Sequence, residues 1–158
     1  MTFELTITAG DEQTMQRIGD VLSRVCSAPA LVFFNGDLGT GKTTIIRAWL
    51  RAEGVKGSIK SPTYTYLEVY EETGEVLAHM DCYRIEEPET AHTIGLPEAC
   101  VDADKIFVEW PNKVASTLPN PDLTLALQHE SKGRSIQLKA HNAKAKAWLE
   151  QFNNLWQA

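Results

Sequence analysis

The stretch Gly36-Asp37-Leu38-Gly39-Thr40-Gly41-Lys42-Thr43 decides the reading of this chain. It satisfies the phosphate-loop pattern GxxxxGK[ST] at every constrained position. Glycines there permit torsions that turn successive backbone N–H groups inward as an anion nest. A helix starting at the loop points its positive end at the same phosphates. The lysine reaches the outer phosphate oxygens, and the hydroxyl after it joins a Mg²⁺ shell. Gly36, Asp37, Leu38, Gly39, Thr40, Gly41, Lys42, Thr43 and the adjoining Thr44 are therefore assigned to nucleotide binding. Lys42 is also catalytic and Thr43 also a metal ligand in this reading. The flanks agree with it. Residues 30–34 (ALVFF) form a continuous apolar run suited to a central strand buried on both faces. Ile45, Ile46, Trp49 and Leu50 give the next helix an apolar stripe, stopped near Gly54.

Outward from the loop, periodicity and turn signals give an α/β pattern. Residues 3–7 alternate as a strand. Residues 11–26 place Met15, Ile18, Leu22 and Val25 at helical spacing, with Asp11 or Thr8 as cap. Residues 55–59 read as a short strand. Ser61-Pro62-Thr63 reads as loop, because proline disfavours helix just before it. Residues 64–70 and 76–81 flank EETGE as a hairpin. Short helices are expected around 88–92 and 96–101, and 105–109 (KIFVE) is another buried strand. Residues 123–127 and 135–139 flank ESKGR as a second hairpin. The tail, 143–156, is helical, with Ala147, Trp148, Phe152, Leu155 and Trp156 on its apolar side. The expected fold is one three-layer, P-loop NTPase-like α/β domain over residues 1–158. Its central parallel sheet is extended by antiparallel strands.

Composition narrows the function classes. A chain of 158 residues can bury about two-thirds of its surface, enough to fold without a disulfide or metal staple. Hydrophobic residues at 43% and charged residues at 23% exclude a mainly disordered or collagen-like chain. A net charge of -6 argues against a broad non-specific nucleic-acid surface. It leaves room for a local basic patch, or for docking onto a protein that holds RNA. Cys26, Cys82 and Cys100 are odd in number and form no CxxC pair, which reads as free thiols in a reducing compartment. The opening MTFELTITAG has no basic n-region and reads as no signal peptide. No apolar run approaches the roughly 18 residues of a membrane span, so a cytoplasmic location is expected.

Phosphoryl chemistry needs an acidic group beside the loop, at the carboxyl end of a central strand. Glu109, ending KIFVE, and Asp81, ending VLAHMD, both qualify. Either could hold the metal while the other orients the attacking water. His79 shares the strand face of Asp81 and reads as a core-edge histidine or a ligand. Thr63 could lend its hydroxyl to Mg²⁺ or a bridging water, as a loop sensing the γ-phosphate, or belong to an ordinary turn. Arg84 could stabilise transition-state charge, meet a partner, or pair with Glu86 or Glu87 at the surface. Trp110, directly after Glu109, joins Thr63 and Arg84 as switch or partner residues. Asp11 and the turn from Glu130 to Arg134 could border the nucleoside, against the plainer readings of helix cap and solvated turn. The nearest string to a guanine-reading NKxD is Asn112-Lys113-Val114-Ala115, which lacks the aspartate, and no DxxG follows. ATP is therefore favoured over GTP.

The combination GDLGTGKTT, SPTYTYLEVY, HMDCYRI, IGLPE and VEWP, in that order over residues 30–112, resembles the bacterial TsaE (YjeE) family. The resemblance implies a P-loop ATPase with a parallel sheet flanked by antiparallel strands. It implies a part in making N6-threonylcarbamoyladenosine in tRNAs that read ANN codons, working with the TsaB and TsaD proteins. An ATP cycle would support turnover of that complex, with tRNA met either directly or through it. Carried onto this chain, it gives Lys42 to phosphate, Thr43 and Glu109 to Mg²⁺, Asp81 to catalysis and the Thr63 loop to a switch-like role. Two other readings remain at this stage. A small-molecule kinase would phosphorylate an acceptor, whereas the 112–133 stretch has no arginine for a lid. A docking module would bind nucleotide without partner-stimulated hydrolysis.

Overall fold

The computed structural model describes residues 3–158; the first two residues of MTFELTITAG lie outside them. The apolar runs become the inner strands of one sheet. The elements are β1 (Phe3–Ala9), α1 (Glu12–Val25), β2 (Ala30–Asn35), α2 (Lys42–Glu53), β3 (Leu67–Tyr70) and β4 (Leu77–Asp81). Then come α3 (Thr90–Ile94), α4 (Leu96–Asp102), β5 (Lys105–Glu109), two short 3₁₀ turns, β6 (Leu123–Glu130), β7 (Gly133–Ala140) and α5 (Ala143–Gln157). Among the described residues the strand order is β1-β7-β6-β2-β5-β4-β3. Strands β6, β2, β5 and β4 are parallel, while β1, β7 and β3 pair antiparallel at the flanks. This is the expected parallel sheet with antiparallel extensions. Strand β6 lies directly beside β2 in parallel register.

Alternation along β2 builds both hydrophobic layers. Val32 and Phe34 face the cluster formed with α1, α2 and α5. Leu31 and Phe33 face the second cluster, with Ile85, Leu96 and Val114. Asp11 is the cap of α1: Oδ1 accepts from the Thr14 backbone N–H at 2.8 Å. Met15, Ile18, Leu22 and Val25 then form the buried stripe, each contributing about 1.5–3 kcal/mol. Gly19 lets α1 and α2 touch, since a Cβ there would lie 2.9 Å from that of Ala48. At the amino ends of the parallel strands, Lys105 Nζ donates to Glu53 Oε2 at 2.8 Å. The Ser23 hydroxyl (2.8 Å) and Trp49 Nε1 (3.1 Å) donate to the same oxygen. Burial pushes the Cys82 thiol up to about 12 and Cys100 to about 11, which keeps both uncharged at neutral pH. Among the described residues, no helix is long and apolar enough to cross a membrane.

Several expected boundaries move. Residues 55–59 form no strand: the Val55 N–H closes α2 on the Leu50 carbonyl, and Arg51 Nη1 occupies the carbonyls of Val55 and Gly57. The hairpin strand begins at Leu67, because the Tyr66 N–H donates back to the Pro62 carbonyl at 2.7 Å and closes a turn over 62–66. Strands β6 and β7 run further than expected and leave a two-residue turn, Ser131-Lys132. On α5 the buried residues are Ala145, Trp148, Leu149 and Phe152, whereas Ala147 and Leu155 are exposed. The stripe follows the contact with α1, not the full apolar content of the helix.

Candidate nucleotide site

Helix α2 starts inside the glycine motif, at Lys42, so its free N–H groups open onto the loop. Gly41 precedes it with φ of 104°, a left-handed conformation in which any Cβ would also collide with Met15 Cε. The loop separates two cavities that share Gly39, Gly41 and Thr44. One, of about 320 Å³, lies against the end of β1 and is lined by Asp11, Met15 and Arg134. The other, of about 330 Å³, is lined by Lys42, Thr43, Thr63, Asp81, Glu109 and Trp110, with Leu38 at its edge. The second cavity lies where β2, β5 and β4 end side by side, with Phe34 opposite Glu109 and Glu109 opposite Asp81. That is the carboxyl-end crevice in which open α/β sheets bind ligands.

Lys42 Nζ donates to the carbonyls of Gly36 at 2.6 Å and Asp37 at 2.8 Å. It also lies 4.6 Å from the centre of the Trp110 ring. Burial holds its ammonium below the usual lysine range, opposed by the carboxylates of Glu109, Asp81 and Asp37. The Thr43 hydroxyl is 3.0 Å from each carboxylate oxygen of Glu109. Thr40 ties the loop through its hydroxyl to the Asp37 carbonyl at 2.8 Å. The Thr63 hydroxyl donates to Asp81 Oδ2 at 3.1 Å, and the Tyr83 N–H donates to Asp81 Oδ1 at 3.0 Å.

Among the described residues, two other than glycine have positive φ: Tyr66 at 67° and Trp110 at 56°. Each flanks this cavity's loops, and such conformations cost on the order of 1–3 kcal/mol. A hydroxyl, Thr43, beside a carboxylate, Glu109, is the donor set that Mg²⁺ accepts when phosphate and water complete its shell. Among the described residues no group of three or more His, Cys, Asp or Glu side chains could cage a metal. A hard ion here would take only one or two ligands from protein.

The remaining expected residues divide. Arg134 is at the first cavity, where Nη2 donates to the Gly39 carbonyl at 3.1 Å. Asp11 lines that cavity, but its carboxylate is engaged as the α1 cap. Glu130 is exposed at the end of β6 and lines neither cavity. Arg84 is exposed and stacks 4.4 Å from the Tyr64 ring centre; it pairs with neither Glu86 nor Glu87. Tyr83 and Met15 also line these cavities, and no sequence motif assigns either to them. Tyr83 packs against Trp110 with the rings tilted by 48° and their centres 5.0 Å apart, and it lines the second cavity. Its place two residues past Asp81 was the available signal. Met15 sits on an ordinary core stripe, and nothing in its spacing points to the loop.

Burial holds the Asp81 carboxyl above the usual range, helped by Glu109 and opposed by the Tyr83 N–H. A raised carboxyl favours the neutral form on folding. Its contribution is complete below about pH 4, where the unfolded carboxyl is protonated, and is lost as pH rises through the higher folded value. Asp81→Asn keeps an acceptor for Tyr83 and a polar partner for Thr63 without the charge. It is expected to raise the melting temperature by about 2 °C at pH 7.5, with the gain vanishing toward pH 4. Scanning calorimetry across that range checks it; a loss at pH 7.5 would refute the burial argument.

Comparisons with known proteins agree on one family. Residues 9–136 match the family model for threonylcarbamoyl adenosine biosynthesis protein TsaE. The tRNA threonylcarbamoyladenosine biosynthesis protein TsaE of Haemophilus influenzae is 34% identical over 155 residues, covering 95% of this chain and 98% of that protein. Its namesake in Treponema pallidum is 34% identical over 117 residues, 73% of this chain and 85% of that one. The Bacillus subtilis protein of the same name is 28% identical over 121 residues, 77% and 75%. The crystal structure of Bacillus subtilis YdiB superposes with a TM-score of 0.84 at 21% identity, covering 98% of this chain and 97% of that one. It shares the fold.

Proposed function

The chain belongs to the TsaE family of threonylcarbamoyl adenosine biosynthesis proteins, and on that footing we propose that it is a Mg²⁺-dependent ATPase serving N6-threonylcarbamoyladenosine formation in tRNA. Its nucleotide cycle acts as a switch on a TsaB–TsaD complex in the cytoplasm, and tRNA is reached through that complex. One observation carries the reading: Lys42, Thr43, Asp81 and Glu109 line one cavity at the amino end of α2.

The loop N–H groups and the start of α2 hold the phosphates. The nucleoside takes the first cavity, beside Met15 and Arg134. Lys42 exchanges its bonds to the Gly36 and Asp37 carbonyls for phosphate oxygens. Thr43 and Glu109 would hold Mg²⁺, which supplies charge neutralisation across the outer phosphates when bound. Asp81 orients a water by accepting its hydrogen. That water attacks the γ-phosphorus in line, the bond to the bridging oxygen breaks, ADP leaves, and the water's proton passes to the phosphate released. Asp81 suits the water role because it is held by the Thr63 loop and the Tyr83 N–H, whereas Glu109 is held to Thr43, the other metal-side group, and to His79.

The decisive experiment measures phosphate release by the chain alone and with TsaB–TsaD added. Slow release that rises with the partners is expected. No release under either condition would end the ATPase reading, a phosphorylated acceptor would make the protein a kinase, and indifference to the partners would remove the switch. Within the same assay, Glu109→Ala is expected to raise the Mg²⁺ concentration for half-maximal rate roughly tenfold or more. Asp81→Ala is expected to lower the rate with a smaller shift in that midpoint. The reverse order would exchange the two roles.

A further inference from the structure

We propose that His79 is a positioning residue that fixes the Glu109 carboxylate for the metal, an inference that rests on the nucleotide reading above. His79 lies in the middle of β4 and is 1% exposed. Its Nε2 is 2.7 Å from Glu109 Oε2. An ionised carboxylate only accepts, so Nε2 carries the hydrogen, and the bond has the short length of a charge-assisted pair. The other ring nitrogen, Nδ1, has no partner, the single such side-chain atom among the buried, described residues. A buried polar atom left unpaired is costly, and an apolar residue on this strand face would avoid the cost, as Leu77 does on the same face. The bond to Glu109 is what the imidazole supplies in return.

Glu109 needs that bond. The Thr43 hydroxyl lies 3.0 Å from both carboxylate oxygens and has one hydrogen to give. Thr43 alone therefore leaves the two oxygens equivalent and the carboxylate free to turn. His79 removes the equivalence by engaging Oε2 and leaving Oε1 toward Thr43. His79 is thus neither a metal ligand nor a plain core histidine. It is an outer partner of a ligating carboxylate, a position where substitution usually weakens metal affinity tenfold or more.

The test is equilibrium binding of a fluorescent ATP analogue to the full chain, with Mg²⁺ and again with chelator. For His79→Leu, the affinity gained on adding Mg²⁺ should fall by roughly tenfold, while Mg²⁺-free affinity stays as in the parent. His79→Gln, whose amide nitrogen reaches about as far as Nε2, should recover most of the gain. A purely structural role would lower both affinities together and would not be rescued by glutamine. An undiminished Mg²⁺ gain in His79→Leu, or no recovery in His79→Gln, overturns the proposal. Should His79→Leu fail to fold, His79→Met removes the same donor with a more adaptable chain. If the parent chain bound no nucleotide under either condition, the ATP reading itself would fall, and this inference with it.

Discussion

Replacing Lys42 by alanine is expected to abolish ATP turnover, by a factor on the order of 100 to 1,000, while the melting temperature changes little. The factor is that for removing one preorganised charge or donor from a water-poor phosphate site. Lys42 is 4% exposed and held between two loop carbonyls and the face of Trp110. Burial already holds its ammonium below the usual range, so the folded state gains little from the charge. The carbonyls of Gly36 and Asp37 that it leaves behind border solvent and can bond water. Thr43→Ala should lose Mg²⁺-dependent turnover by a similar route, with Mg²⁺-free binding retained. Phosphate release, nucleotide titration and thermal melting on purified variants read all three quantities. Unchanged affinity and turnover in both variants would defeat the site assignment.

The second large effect concerns stability. Lys105→Met should destabilise the chain by about 3 kcal/mol, the cost of stranding one member of a buried ion pair. In a domain of this length that lowers the melting temperature by about 6–12 °C. Lys105 and Glu53 are 5% and 9% exposed at their side chains and 2.8 Å apart. Without the ammonium, the buried Glu53 carboxyl is left with only the Ser23 hydroxyl and the Trp49 indole N–H on Oε2. Adding Glu53→Gln should restore part of the loss, since an amide oxygen still accepts from both donors. Denaturant unfolding of the single and double variants checks this. A single variant as stable as the parent would show the pair to be solvated in solution.

The same contrast explains what could be read in the residues beforehand. The phosphate loop was legible because its chemistry is local: glycines, a lysine and a hydroxyl at fixed spacing, with strand and helix on either side. KIFVE and ALVFF were legible because burial on both faces leaves no polar alternation. The Lys105–Glu53 pair was not, because 52 positions separate its members and only the β5–α2 contact joins them. His79 showed its strand face through period two, but its partner sits on β5, 30 positions away. Residues 55–59 misled because Val55 and Ile59 at the ends of the segment say nothing about Arg51 claiming the carbonyls between them. Asp11 carried two readings, cap and nucleoside border, and the cap took its carboxylate.

The direction of β1 has a practical consequence. Phe3 pairs with Ala140 and Ala9 with Arg134, so the strand enters at the end of the sheet remote from the loop and runs toward it. Helix α5 travels the same way, and its last turn reaches Arg17, whose Nη2 donates to the Trp156 carbonyl. A dye placed at the Phe3 end of β1 therefore sits away from the nucleotide mouth, whereas one on the last turn of α5 sits against the helix that walls it. Immobilisation for binding work belongs at the Phe3 end of the sheet.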